Sequence, residues 1–167
     1  MVEAGVLFRL GDAAEDEGNY KLARESFERG AALGDESCLT RLARLFDLGI
    51  GVDTDKGFAM RCYRRAWRLW RSNIAANNMA VLHREAGNRR AMFQWFERGA
   101  NEGDGDAMVR LARCYLDGLG VRRSPAAAMK LLSAAVGGDN LCEASRDEAN
   151  ELIAGLRPTL VTGGAGT

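Results

Sequence analysis

Small and large apolar side chains recur along this chain with the period of an α-helix, and the same arrangement appears four times. Ala23, Ala59, Met92 and Ala128 open four equivalent stretches. Four residues further on stand Phe27, Tyr63, Phe96 and Leu132, and seven residues on stand Gly30, Ala66, Gly99 and Ala135. Positions three and four apart share one helical face, so three of the stretches offer a bulky side chain between two small ones, and the third has Met92 in the leading place; such a surface lets a second helix come close. Asn19, Asp55, Asn88 and Ser124 lie four residues before these columns. All are strong N-cap types, and Ser124 is followed by Pro125, which suits the first helical position. A companion ladder, Leu10, Leu42, Met79 and Leu111, is followed at once by Gly11, Ala43, Ala80 and Ala112. Four residues after its leading members come Ala14, Phe46, His83 and Tyr115. The pattern predicts four helix pairs, over approximately 4–35, 36–72, 73–104 and 105–139.

The pairs are themselves paired. Shifted by 69 residues, the segment Gly18–Ala66 aligns with Gly87–Ala135 without a gap and with 19 identities in 49 positions, the signature of an internal repeat. Within each 69-residue unit the second pair has a longer connection, GIGVDTD (49–55) and GLGVRRS (118–124). After Asp139 the segment NLCEASRDEANELIAGLR keeps helical spacing without opening another pair, and predicts a capping helix over 140–157 of the kind a stacked-repeat protein needs at its end. The domain is thus expected over 1–157. PTLVTGGAGT (158–167) is small, uncharged and glycine-rich and predicts a flexible tail. Composition agrees: 26 Ala and 19 Leu stand against 8 Val and 3 Ile, which favours helix over strand. The fold class is all-α.

Helix pairs of this length resemble tetratricopeptide repeats. LARLFDLGIGVDTDKGFAMRCYRRA and LARCYLDGLGVRRSPAAAMKLLSAA are more closely similar to the Sel-one-like repeat (SLR), in which a first helix leads through a Gly-x-Gly-Val loop to an Ala-rich second helix. The resemblance spans roughly residues 4–139, although the first and third pairs lack that loop and have the shorter, tetratricopeptide form. It implies an α-solenoid, a superhelix of antiparallel helix pairs, that serves as a protein-interaction module. SLR proteins act as adaptors or scaffolds, and some bacterial ones are immunity proteins that neutralise a cognate toxin.

Charge and chemistry narrow the reading. The 23 basic and 23 acidic residues cancel, so no global field draws the protein to nucleic acid or an anionic membrane. The balance hides a segregation, −5 over 1–36, +7 over 37–90 and −2 over 91–167. No apolar run approaches a membrane span, and the N-terminal stretch lacks the features of a signal peptide, which makes the cytoplasm the expected compartment. Cys38, Cys62, Cys114 and Cys142 fit neither zinc spacing nor a regular disulfide framework, and read as reduced. His83, the single histidine, shares its column with Phe46 and Tyr115 and reads as a packing residue or, on the alternative, a pH-sensitive or binding one. No nucleophile stands with a base at catalytic spacing. The chain is expected to be no enzyme and to need no cofactor or metal.

The family resemblance implies that first helices line a concave groove, with the residues just before and two after the leucine ladder pointing into it. Here these are Arg9, Arg41, Asn78 and Arg110, then Asp12, Arg44, Val81 and Arg113. Arg41, Arg44, Arg110 and Arg113, with Asn77, Asn78 and Arg84, form a candidate surface for an acidic peptide or protein. The alternative is that these arginines pair with acids on adjacent helices. Asn78 and Arg110 resemble two positions of a terminal-carboxylate clamp, but Thr40 and Asp106 stand where such a clamp has lysines. Trp67 and Trp70 break the small-residue pattern. They are either packed by the next repeat or partly exposed beside Arg64, Arg65, Arg68 and Arg71 as a second candidate binding surface. RNA binding on this strip is a lesser reading, and self-association of acidic and basic repeats is open. Charge reversal at Arg41, Arg44, Arg110 and Arg113 is expected to abolish partner binding and leave melting intact.

Overall fold

A computed structural model describes the backbone of residues 2–162 and the side chains of residues 3–156. The described residues form nine helices and no strand: α1 (Val2–Asp16), α2 (Tyr20–Ala32), α3 (Glu36–Leu48), α4 (Lys56–Trp70), α5 (Asn73–Glu85), α6 (Arg89–Asn101), α7 (Gly105–Asp117), α8 (Pro125–Gly137) and α9 (Glu143–Thr162). Two compact units divide the chain, Met1–Met79 and Ala80–Thr167. In the first, α1 packs on α2, α2 on α3 and α3 on α4; in the second, α6 packs on α7, α7 on α8 and α8 on α9.

The helices begin where polar side chains can take up their free amides. Asn19, Asp55, Asn88 and Ser124 accept from the backbone N–H three residues ahead, at 3.3, 2.8, 3.0 and 3.3 Å. Asp35 and Asp104 cap α3 and α7 in the same way, and Ser72 Oγ accepts from Ala75 N–H at the start of α5.

The small columns are the places where helices meet. Ala23, Ala59, Ala66 and Ala128 are fully buried, as are Phe27, Tyr63 and Leu132 between them. Gly11 of α1 lies so close to the Phe27 ring of α2, and Gly30 of α2 so close to the Cys38 side chain of α3, that a methyl group at either position would collide. Leu42, Met79 and Leu111 are buried, whereas Leu10 is 42% exposed beside the equally open Val6. The companion ladder thus packs in three of its four members.

The two long connections are built alike. Gly49 and Gly118 end α3 and α7 in the left-handed region, and each loop is closed by one backbone bond, Asp55 N–H to Phe46 O and Ser124 N–H to Tyr115 O, both 2.9 Å. Gly120 also has positive φ, and a side chain there would strike the carbonyl of Arg89 at the start of α6. The turn from α4 to α5 is different: Arg71, at φ 54°, is the one non-glycine residue with positive φ among those described, and its guanidinium lies 5.4 Å from the Trp67 ring centroid.

The capping helix α9 runs to Thr162, five residues into the stretch expected to be a tail; residues 163–167 lie outside those described. Ala149 is buried against Val109, Ala112 and Leu132, with Leu152, Ile153 and Leu156 around it. Arg146 donates to the carbonyls of Val136 and Gly138 at 2.9 and 3.3 Å, satisfying groups that the end of α8 leaves open. Cys142 N–H donates to Asp106 Oδ1. Burial works to raise the Asp106 pKa, but hydrogen bonds from Ser145 and Cys142 and the Arg110 charge outweigh it and hold the carboxylate below its ordinary value.

Gly87 and Gly120 share positive φ, but only Gly120 has backbone packed against it. Gly87→Ala is expected to cost about 1 kcal/mol and Gly120→Ala about 3 kcal/mol, read as the difference between their urea unfolding free energies.

Candidate functional site

Of the seven polar residues expected to line one surface, six fall into two clefts, one in each unit, and Asn77 lines neither. In the first unit Arg41, Arg44 and Asn78 line a cleft of about 290 Å³ with Phe8, Ser37, Thr40 and Ile74. Asn77 is half-buried on the same helix as Asn78. In the second unit Arg84, Arg110 and Arg113 line a cleft of about 190 Å³ with Met92, Phe96, Cys114, Asp117 and Leu119.

The first cleft is electrostatically closed. Arg41 Nη2 donates to Asp12 Oδ1 and Arg44 Nη2 to Glu15 Oε1, and Arg41 Nη1 lies 3.8 Å from the second Glu15 oxygen. Glu15 is only 13% exposed. Arg41 also stacks over Phe8, 5.9 Å from its ring centroid. Burial, followed by the adjacent Arg44 charge, lowers the Arg41 pKa from its ordinary value. The fully buried Tyr63 hydroxyl has no hydrogen-bond partner among the described residues, and burial, with the Asp47 charge next, pushes its pKa up against the nearby Arg44 charge. Pairing with acids on a neighbouring helix, one of the two readings of this ladder, is therefore what the structure has at Arg41 and Arg44.

The second cleft is open. Arg113 Nε donates to Glu148 of α9, in a pair whose side chains are 55% and 34% exposed, so the contact contributes little to stability. Arg84 and Arg110 are exposed, and neither makes an ion pair among the described residues. Beneath them Met92, Phe96 and Cys114 are buried, which places guanidinium groups at the edge of an apolar floor. Met92 and Phe96 read from sequence as core packing alone. Their membership of the packing columns concealed that one side of each faces a cleft.

The two tryptophans differ. Trp67 is 8% exposed and lies under Arg71, and Trp70 is half-buried. His83 is also half-buried, at the column position of Phe46 and Tyr115, whose rings pack on Phe58 at 4.4 Å and Phe93 at 5.4 Å. No group of three or more His, Cys, Asp or Glu side chains among the described residues is placed to hold a metal.

All four cysteines are free. Burial, with the Asp35 hydrogen bond second, pushes the Cys38 thiol up to about 12. Burial, with the Asp117 charge second, takes Cys114 to about 11, and burial also raises Cys62 against the opposing charges of Arg61 and Arg65. A thiol held protonated is a poor nucleophile.

These features define a helical-repeat protein of the α-solenoid class. The chain carries Sel1 repeats: the Sel1 repeat family model matches residues 37–69, 93–104 and 105–137. Among solved structures it is similar to a Sel1 repeat protein from Oxalobacter formigenes, with TM-score 0.74 and 23% identity over 92% of this chain and 61% of the other. It is similar also to c5321, a protective antigen of uropathogenic Escherichia coli with an SLR fold, with TM-score 0.73 and 22% identity over 89% of this chain and 33% of that protein. The MamA protein aligns with TM-score 0.60 and 17% identity over 97% of this chain and 88% of its own. The chain thus spans about three-fifths and one-third of the length of the first two. No curated protein matches the sequence at a significant level. Sel1 repeats are in general a non-enzymatic, protein-interaction fold, and no helix among the described residues is long and apolar enough to cross a membrane.

Two outcomes follow. Arg44→Glu is expected to lower stability by about 3 kcal/mol, because it leaves the shielded Glu15 facing a like charge, whereas Arg110→Glu changes it by less than about 0.5 kcal/mol; urea unfolding separates the two. A fourfold arginine reversal therefore would not leave melting intact. Alkylation with iodoacetamide followed by mass spectrometry is expected to modify one of the four thiols in the native protein, exposed Cys142, and all four after unfolding.

Proposed function

We propose that this chain is a protein-binding module that engages an acidic surface of its partner through arginines of its first helices, with the cleft of the second unit as the working site. The observation that carries this reading is the arrangement of Arg84, Arg110 and Arg113 around Met92 and Phe96. Guanidinium groups at the edge of an apolar floor suit a protein ligand, because carboxylates can take the planar N–H forks while an adjoining apolar side chain is removed from water. Arg41 and Arg44 serve the fold instead, since their charges are already matched by Asp12 and Glu15.

Nucleic acid is a poorer fit. The net charge is zero, and beside the exposed Arg64, Arg65, Arg68 and Arg71 the aromatic half of a stacking strip is largely withdrawn, with Trp67 buried and Trp70 half-buried. The supporting features are thus local and suited to side chains.

The test is affinity capture from native-host lysate with the tagged chain, read by mass spectrometry. The wild type is expected to retain a stoichiometric protein that the R84E/R110E variant loses while keeping its helicity and melting temperature. Equal recovery by the two would overturn this site.

A further inference from the structure

The two 69-residue units provide an internal comparison that identifies what the open cleft lacks. The register holds through the first helix of each unit. Gly18 N–H bonds to Glu15 O and Asn19 N–H to Ala14 O, while Gly87 N–H bonds to Arg84 O and Asn88 N–H to His83 O. Asp12 and Glu15 therefore correspond to Val81 and Arg84, and Arg41 and Arg44 correspond to Arg110 and Arg113. At these four positions the first unit carries two acids and two arginines. The second carries a valine and three arginines.

In the first unit the two carboxylates, one helical turn apart on α1, take up the two guanidinium groups of α3. In the second unit the same two guanidinium positions have lost both acids, and Arg84 adds a third cation. Glu148 of α9 meets Arg113 alone, Asp117 lines the cleft as its one acid, and Asp106 is engaged by Cys142 N–H. Arg110 has no carboxylate within ion-pair distance among the described residues, and the acid on which its charge does act, Asp106 one turn earlier on α7, is already bonded to Cys142 and Ser145.

Resting on the reading of the chain as a protein-binding module, we propose that the second-unit cleft receives an acidic segment of a separate protein, one presenting two carboxylates a helical turn apart beside an apolar side chain. The carboxylates take the part that Asp12 and Glu15 play in the first unit, and the apolar group meets Met92 and Phe96. The specificity is set by Val81 and Arg84, positions at which an acid would close the cleft from within.

The test restores the first unit's acids in the second through V81D/R84E. Binding is read by fluorescence anisotropy with a fluorescein-labelled peptide GALDALEALA and its neutral counterpart GALNALQALA. The wild type is expected to bind the acidic peptide at least tenfold more tightly than the neutral one, consistent with charge-assisted contacts. V81D/R84E is expected to melt a few degrees higher than wild type and to bind the acidic peptide at least tenfold more weakly. R84Q/R110Q, which adds no charge, is expected to lose binding likewise and guards against misfolding of the first variant. Wild-type affinity in either variant, equal affinity for the two peptides, or no binding of the acidic peptide by the wild type would overturn the proposal. In each of those cases, lysate capture sensitive to R84E/R110E would leave the broader protein-binding reading standing. A dimer in sedimentation that V81D/R84E dissolves would put a second copy in the cleft and overturn the assignment to a separate partner.

Discussion

The helix pairs depend on close approach, and close approach depends on residues with almost no side chain. Gly11 against Phe27 and Gly30 against Cys38 leave no space for a methyl group, while Ala23, Ala59, Ala66 and Ala128 are fully buried. Because each small position is followed by a bulky one on the same face, a neighbouring helix is held both near and in register. The N-caps and glycine-ended connections fix where each helix starts and stops, and thereby which side chains reach the contact.

This dependence explains how much could be read from one sequence. A helix contact that needs a small residue every three or four positions leaves a periodic trace, and so do Asn19, Asp55, Asn88 and Ser124 at the starts of helices. The four pairs, their long and short connections and the capping helix were legible for that reason. The site was legible only in part. Arginine identity and spacing marked Arg41, Arg44, Arg110 and Arg113, but sequence alone left two fates open for each, because a partner 29 or 35 residues away leaves no local pattern. The same holds for Trp67. Its size identified it, while its burial under Arg71 is a property of the three-dimensional contact.

The units also separate two uses of one residue type. Arg41 and Arg44 lie against Phe8 and the shielded Glu15, where guanidinium planes serve as internal ties between α1 and α3. Arg84 and Arg110 occupy equivalent or adjoining ground in the other unit without such ties. A duplicated scaffold can thus change the electrostatic character of a cleft by substituting a few side chains at its edge, leaving the small-residue columns that hold the helices untouched.

The way α9 is attached has a further consequence for how the protein behaves in solution. Its hold on the second unit runs through the short stretch 138–142, through Arg146 on the carbonyls that end α8, and through Ala149 on the face formed by Val109, Ala112 and Leu132. A proteolytic cut in that stretch that let α9 dissociate would uncover an adhesive apolar face and unsatisfied helix-end carbonyls together. The cap therefore shields an adhesive apolar face as well as closing the second unit.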